Sequence, residues 1–84
     1  MKILYFAWLR ERLNRAEEEV ALPPEVVTSS DLLHWLASRD EAFALAMNDK
    51  PGQFKVSLDA RIRPLDAPIA DTAVVAILPP MTGG

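Results

Sequence analysis

Cysteine is absent and glycine is scarce in this 84-residue chain, and each shortage excludes a type of chemistry. Without cysteine no disulfide can hold the fold, and any sulfur that the protein handles cannot sit on a side-chain thiol. Glycine occurs only at positions 52, 83 and 84, so no glycine-rich loop is available to bind phosphate. The single histidine, His34, is the one candidate base for a nucleophilic triad, but a lone histidine in a helical segment is more often a packing or surface residue. The sequence also shows no metal-ligand spacing of histidine, cysteine or carboxylate residues.

Size and charge exclude further classes of protein. A chain of 84 residues makes one domain with little room for a deep catalytic cleft, which argues against an enzyme acting alone. The net charge of −3 argues against nucleic-acid binding, which requires a basic face. We therefore expect no nucleic-acid partner. The apolar run at the start of the chain is too short to span a membrane, so we also expect a cytoplasmic protein with no membrane partner. The arginines at positions 10, 12 and 15, followed by glutamates at 17–19, are interpreted as a solvated, self-compensating face.

Hydrophobic periodicity predicts an α+β fold. Five segments are typical of strands, namely residues 2–8, 16–22, 54–58, 61–63 and 73–78. A short helical turn is expected after the first strand, ending at Asn14. Since the first and last strands are apolar on both faces, we expect them to lie side by side and parallel at the centre of a mixed sheet of four to five strands.

One main helix is predicted between the second and third strands. Thr28 and the two serines after it offer hydroxyls that can cap its start, and apolar residues from Leu32 onward follow a helical stripe. The Arg39-Asp40 step interrupts the pattern and allows the helix to break in two, with a second piece over residues 41–47. Such a helix packs on one face of the sheet.

The chain ends in an apolar strand followed by Pro79-Pro80-Met81-Thr82-Gly83-Gly84. Neither proline can donate a backbone hydrogen bond, so the last strand stops at residue 78 and a stiff, extended step follows. The two glycines have no Cβ, so they make a thin end that can enter a narrow channel and present only its carboxylate. We therefore divide the chain into a domain over residues 1–78 and a flexible tail over residues 79–84.

Several stretches of the sequence carry a resemblance to a known family. They are Lys2-Ile3-Leu4-Tyr5-Phe6-Ala7 with Leu9-Arg10-Glu11, the strand exit Leu22-Pro23, the helix start Asp31-Leu32-Leu33 and the ending Leu78-Pro79-Pro80-Met81-Thr82-Gly83-Gly84. On these residues the chain resembles, over nearly its whole length, the small subunit of molybdopterin synthase, a sulfur carrier of the ubiquitin-like β-grasp superfamily. It departs from that family at Asp71-Thr72-Ala73-Val74, where a Gly-Asp-Glu-Val turn is common, and at Leu58-Asp59, where Val-Asn is common.

The resemblance implies a ubiquitin-like β-grasp fold and a reaction at the C-terminus. In that scheme a separate ATP-dependent enzyme adenylates Gly84, a persulfide donor displaces AMP, and the resulting Gly84 thiocarboxylate donates sulfur to form the dithiolene of molybdopterin. Gly83 gives clearance. The resemblance further implies that the chain binds no cofactor itself, since the activating enzyme uses the ATP. It also implies that the chain is not catalytic alone and acts as the sulfur-donor subunit of a sulfurtransferase. Its implied partners are that enzyme and the large subunit of the synthase, in a heterotetramer of two small and two large subunits.

The resemblance also implies an apolar docking face beside the tail. The partner-binding residues, matched by position, are Phe6, Ile62, Leu78, Pro79, Pro80, Met81 and Thr82. A charged rim that steers an acidic partner surface is a further hypothesis, and its candidates are Arg10, Arg61 and Arg63. In the alternative interpretation Phe6, Ile62 and Leu78 all belong to the core.

Two other functions stay open at this point. The thiocarboxylate can serve another pathway, such as thiamine, tungsten cofactor or tRNA thiolation, although the Pro79-Pro80 step and the chain length favour molybdopterin over the shorter thiamine-type carriers. The other possibility is a ubiquitin-like binding module with no sulfur role, for which the apolar patch matters and Gly84 does not.

Overall fold

The computed structural model describes residues 1–49 and 53–80. The helices and strands, in chain order, are β1 (Lys2–Tyr5), α1 (Ala7–Leu13), β2 (Glu17–Glu19), α2 (Ser29–Arg39), α3 (Glu41–Asp49), β3 (Lys55–Leu58), β4 (Arg61–Arg63) and β5 (Val74–Leu78). Within those two ranges the strands form one mixed sheet in the order β2-β1-β5-β3-β4. The predicted α+β arrangement of a mixed sheet with helices on one face is confirmed.

The two central strands run parallel, as their apolar sequences predicted. β1 pairs with β5 from Lys2 opposite Val74 to Tyr5 opposite Ile77. The other neighbours are antiparallel, with β2 beside β1, β3 beside β5, and β4 at the far edge next to β3. Because β1 and β5 each have a neighbouring strand on both sides, their backbone groups are paired within the sheet.

One face of the sheet packs against the helices and forms the core; we call it the covered face. Alternate strand residues point to this side and are buried, as the two-residue period of a strand requires. They meet the apolar stripes of the three helices. The buried core residues are Ile3, Tyr5, Leu9, Leu13, Leu32, Leu33, Leu36, Phe43, Ala46, Phe54, Val56, Ile69, Val75 and Ile77.

The main helix breaks in two at Asp40, at the step where the sequence predicted that it can. Thr28 begins α2 with a capping box, in which its Oγ1 accepts from the Asp31 N–H and the Asp31 carboxylate accepts from the Thr28 N–H, each at 3.1 Å. Asp40 has an extended backbone with φ of −138°, and its carboxylate accepts from the Ala42 N–H at 2.9 Å. Asp40 therefore ends α2 and caps the start of α3.

Two strands are shorter than predicted by three or more residues, and β3 and β5 each by one. The apolar run predicts a strand over residues 2–8, but β1 ends at Tyr5 and α1 begins at Ala7, whose positive φ of 53° turns the chain out of the sheet. A helix that buries two leucines needs apolar residues as much as a strand does, so composition alone does not separate the two. β2 keeps only Glu17–Glu19 of the predicted segment 16–22, because only those residues pair with β1.

A cluster of charged residues joins β2 to the corner between α2 and α3. The Glu18 carboxylate accepts from Tyr5 Oη at 2.5 Å and from Arg15 Nε at 3.1 Å. It also forms an ion pair with Arg39 at 2.6 Å, while Arg15 pairs with Asp40. Arg15 and Glu18 are half-buried, so the expected solvated face is wrong for these two residues.

The surroundings of this cluster shift the pKa of its members. Burial by itself raises the pKa of Glu18, but the hydrogen bonds from Arg39 and Tyr5 and the charges of Arg15 and Arg39 outweigh burial, so the pKa lies below its ordinary value. Burial and the hydrogen bond to Glu18 raise the pKa of Tyr5. Glu18 is therefore held as a carboxylate and Tyr5 as a neutral donor at neutral pH.

Candidate functional site

The side of the sheet away from the helices carries a broad apolar depression of about 550 Å³. We call this side the open face. β5 contributes Val74, Ala76 and Leu78 to the open face. These residues alternate along the strand with Val75 and Ile77, which are buried. The residues that line the depression are Leu4, Phe6, Ser57, Asp59, Ala60, Ile62, Val74, Ala76 and Leu78. An apolar central strand thus leaves an apolar surface on the side where no core forms.

The three predicted patch residues meet at this depression. Phe6 is 40% exposed and Ile62 is 61% exposed, while Leu78 is half-buried. Ile62 lies directly opposite Ser57 in the β3–β4 pair, so both side chains point to the open face. The alternative that all three residues belong to the core is wrong for Phe6 and Ile62. Large apolar side chains gathered at one exposed place are typical of a binding surface.

The turn between β3 and β4 closes one end of the depression. Asp59 and Ala60 both have positive φ, 48° and 73°, as favoured two-residue hairpin turns require. The Asp59 carboxylate accepts from the N–H groups of Ala73 and Val74 at 3.1 and 3.0 Å, which fixes the turn to the start of β5. Asp59, one of the two departures from the resembled family, therefore acts in turn and strand-end geometry.

The other end of the depression reaches the root of the tail. Pro79 is buried and Pro80 is half-buried, and the Trp8 indole N–H donates to the Pro80 carbonyl oxygen at 3.0 Å. A second groove of about 360 Å³ lies here, lined by Phe6, Ala7, Gln53, Lys55, Leu78, Pro79 and Pro80. Because Phe6 and Leu78 line both hollows, the apolar patch and the tail root form one continuous surface.

The last predicted site residues, Met81, Thr82, Gly83 and Gly84, lie outside the described residues. Their roles in partner binding, clearance and sulfur chemistry stay predictions. β5 ends at Leu78, which is the last residue of the predicted domain; the predicted tail begins at Pro79.

The predicted charged rim is not brought together. Arg61 and Arg63 lie opposite Leu58 and Val56 in the β3–β4 pair, so their side chains leave the sheet on the other side from Ile62. Arg10 is exposed on α1 and does not line either hollow.

A cation that the sequence reasoning missed, Lys55, lies at the tail root. It is opposite Leu78 in the β3–β5 pair, on the open face. In the two-residue alternation of β3, Lys55 points away from the core, and the register with β5 brings it beside the patch. Trp8 was missed for a different reason, because the sequence reasoning placed it in a strand.

The lining of the depression suits binding better than catalysis. Its polar side chains are Ser57 and Asp59, and Asp59 is already engaged by the backbone of β5. In residues 1–49 and 53–80 no group of histidine, cysteine, aspartate or glutamate side chains is arranged to hold a metal ion. No helix in the same part of the chain is long and apolar enough to cross a membrane.

A mixed sheet with a central parallel pair, covered by helices on one face and followed by a C-terminal segment, defines a protein of the ubiquitin-like β-grasp class. The chain belongs to the ThiS family, whose sequence profile matches residues 3–84.

Comparison with individual proteins agrees with this assignment. The chain is 32% identical to the molybdopterin synthase sulfur carrier subunit of Escherichia coli K12 and 26% identical to that of Haemophilus influenzae, in each case over 100% of this chain and 99% of the relative. Its fold is similar to the crystal structure of SAMP1 from Haloferax volcanii, with a TM-score of 0.73 at 23% identity over 100% of this chain and 98% of that one.

Proposed function

We propose that this chain is a sulfur carrier that works in molybdopterin synthesis, with Gly84 as the residue that carries the sulfur. The observation that supports this most strongly is the full-length similarity to two sulfur carrier subunits of molybdopterin synthase, which extends through the family match to residue 84. The open face adds a physical reason, because it provides a binding surface at the root of the segment that would carry the sulfur.

The proposed chemistry takes place on the Gly84 carboxylate. A carboxylate is a poor acyl donor, so one of its oxygens first attacks the α-phosphorus of ATP, which expels pyrophosphate and leaves an acyl adenylate. The outer sulfur of a persulfide then attacks the carbonyl carbon and AMP leaves. A thiol cleaves the remaining sulfur–sulfur bond, which releases the Gly84 thiocarboxylate and leaves a disulfide on the donor side. Gly83, which lacks a Cβ, lets the reacting end pass through a narrow channel.

The catalytic groups in this scheme belong to the partners. The described residues offer a mostly apolar surface, whose polar side chains are Ser57 and Asp59, and Asp59 is engaged by the backbone of β5. Activation requires an ATP-dependent adenylating enzyme, which supplies the nucleotide site. Sulfur transfer requires the large subunit of the synthase, and two loaded carriers per product fit a heterotetramer of two small and two large subunits, since a dithiolene contains two sulfur atoms.

We propose that the open face docks on the large subunit. Phe6 and Ile62 are the exposed apolar anchors, and Leu78 links them to the tail root. Exposed aromatic and aliphatic residues at the centre of a contact supply most of its binding energy. Lys55 lies at the same root, where a positive charge favours an acidic surface on the partner and speeds association at low salt. The domain and the tail then bind the large subunit as two linked modules. Docking of the domain therefore raises the local concentration of the tail at the channel that it enters.

Intact-mass spectrometry tests the sulfur step directly. The chain is incubated with an adenylating enzyme of this class, ATP and a persulfide source. We expect the mass to rise by the difference between one sulfur and one oxygen atom, and we expect no rise in a matched variant that lacks Gly84. An unchanged mass, with the same enzyme shown to load an established carrier, would contradict the proposal.

The same preparation distinguishes the other destinations. Loaded chain is mixed with the large subunit and the pterin precursor, and formation of the dithiolene is followed. A chain that loads with sulfur but does not support the dithiolene serves another thiolation pathway. A chain that binds through the open face and never loads is a binding module.

A further inference from the structure

The Trp8 side chain is the contact that fixes the root of the tail to the domain. Its indole N–H donates to the Pro80 carbonyl oxygen at 3.0 Å, across 72 positions of sequence. A hydrogen bond between residues so far apart in the chain is tertiary structure and does not arise from a local turn. Trp8 lies at the start of α1, immediately after the turn at Ala7.

The indole is itself held in one orientation. Its ring packs edge-on against Phe54, with centroids 6.0 Å apart and planes at 84°. The Arg12 guanidinium lies 5.4 Å from the Trp8 ring centroid, one helical turn further along α1. An edge-to-face aromatic pair and a cation over the ring are both favourable geometries, so the N–H points in a defined direction.

The hydrogen bond from Trp8 restricts the backbone of Pro80, which has little freedom of its own. The proline ring limits its φ, and the preceding Pro79 is buried. The main freedom left at Pro80 is rotation of its carbonyl, which is the group that Trp8 binds. Because the peptide bond is planar, fixing that carbonyl fixes the plane from which the chain continues.

We propose that Trp8 is a positioning residue for the sulfur-carrier reaction, because it sets the direction in which the chain leaves Pro80 relative to the open face. This inference rests on the proposed function. A root that is already oriented loses less freedom when the C-terminal segment enters an enzyme, so the free energy of binding is larger. The effect belongs to binding and not to the chemical step, because Trp8 does not touch the reacting carboxylate in this scheme.

The first test is the Trp8→Phe variant, which keeps an aromatic ring near Phe54 and removes the N–H donor. In adenylation assays we expect KM for the carrier to rise about three- to tenfold, the range for one lost hydrogen bond, with kcat unchanged. Trp35→Phe is the matched control. Trp35 lies on α2 with Arg39 4.9 Å from its ring centroid, and the same substitution there should leave both KM and kcat at the wild-type values.

The second test separates the hydrogen bond from ring packing. A chemically synthesised chain with 3-benzothienylalanine at position 8 keeps the shape of tryptophan but has sulfur where the indole has N–H. We expect its KM to match that of Trp8→Phe. In the wild-type chain, the Trp8 indole proton should exchange with solvent at least about tenfold more slowly than a freely exposed indole.

The outcomes are distinguishable from failure of the proposed function. A wild-type chain that never gains sulfur contradicts the sulfur-carrier proposal itself. A wild-type chain that loads normally, with a benzothienylalanine chain of unchanged KM, overturns the role of Trp8 alone. A fall in kcat at constant KM also overturns it, because positioning of the root predicts the reverse.

Discussion

Adjacent residues of β5 lie in opposite environments. Ile77 is fully buried between the sheet and the helices, whereas Leu78 lines the open face beside Phe6. Both are apolar, and one strand presents both because successive side chains alternate. On the covered face, apolar area is removed from water when the chain folds. On the open face, much of it stays in water until a partner binds, so its free energy is available for association.

The two faces should therefore respond differently to the same kind of substitution. Truncation on the covered face leaves a cavity and lowers the free energy of unfolding. Truncation on the open face removes little that is buried in the free protein, so stability changes little while affinity falls.

The largest expected effect is on the covered face. Ile77→Ala should lower the free energy of unfolding by about 2–5 kcal/mol, because Ile77 is fully buried and the surrounding core cannot close the space completely. Urea denaturation followed by circular dichroism measures the change. Leu78→Ala on the same strand is the matched control and should cost clearly less, since Leu78 is half-buried. Equal losses at both positions would show that the faces do not differ.

The next effect concerns the charged cluster at the edge of the covered face. Glu18→Gln should lower the free energy of unfolding by about 1–3 kcal/mol at pH 7, because it weakens hydrogen bonds made by a carboxylate. The pKa of Glu18 is lower in the folded chain than its ordinary value of 4.5. This stabilisation is therefore present above about pH 4.5 and is lost as the pH falls through the folded-state pKa.

Denaturation curves at a series of pH values check this dependence. The difference between wild type and Glu18→Gln should shrink as the pH falls below 4.5. Glu17→Gln is the matched control on the same strand. It loses only an exposed pair with Lys2 at 3.1 Å, and its effect should be about 0–1 kcal/mol. If the difference in the free energy of unfolding between wild type and Glu18→Gln stays constant down to strongly acidic pH, the stabilising role of the Glu18 carboxylate is contradicted.

On the open face the expected effect is on affinity. Ile62→Ala should weaken binding to the large subunit about tenfold, which corresponds to a contact at the centre of an interface, and should change stability by less than about 0.5 kcal/mol. Isothermal titration calorimetry measures the affinity. Val27, which is 54% exposed and does not line the depression, is the control, and Val27→Ala should bind like wild type.

The smallest expected effect is a gain in stability at the edge of the depression. Ala60 has a φ of 73°, a region that glycine occupies without steric cost, so Ala60→Gly should raise the free energy of unfolding by about 0.5–1 kcal/mol. The same substitution within helix α3, Ala44→Gly, should lower it by about 1 kcal/mol. Thermal melting of the two variants should therefore shift in opposite directions.

Much of the fold could be predicted because its signals are local. The parallel central pair follows from two strands that are apolar on both faces, and the break at Asp40 follows from an interrupted helical stripe. The end of β1 could not be predicted, because the positive φ at Ala7 leaves no mark in composition. Trp8 was consequently assigned to a strand, and its bond to Pro80 depends on a contact across 72 positions.

Part of the candidate site could likewise be predicted from the sequence, and part could not. The apolar patch at Phe6, Ile62 and Leu78 was predicted by position in the resembled family, and the structure brings the three together. The rim at Arg61 and Arg63 was not brought together, because the faces of an edge strand depend on its register with β3. The alternation along β4 shows only that the Ile62 side chain points to the opposite face of the sheet from those of Arg61 and Arg63. The register with β3 shows that Ile62 is the one on the open face.

The most direct measurement is a methyl NMR titration of the labelled chain with the large subunit of molybdopterin synthase. Ile62, Val74 and Leu78 report the open face, and Ile3, Val75 and Ile77 report the covered face; β5 contributes two residues to each set. We expect large changes in chemical shift for the first three residues and small changes for the second three. Changes concentrated on the helices or the covered face, with the open-face methyl signals unmoved, would contradict it.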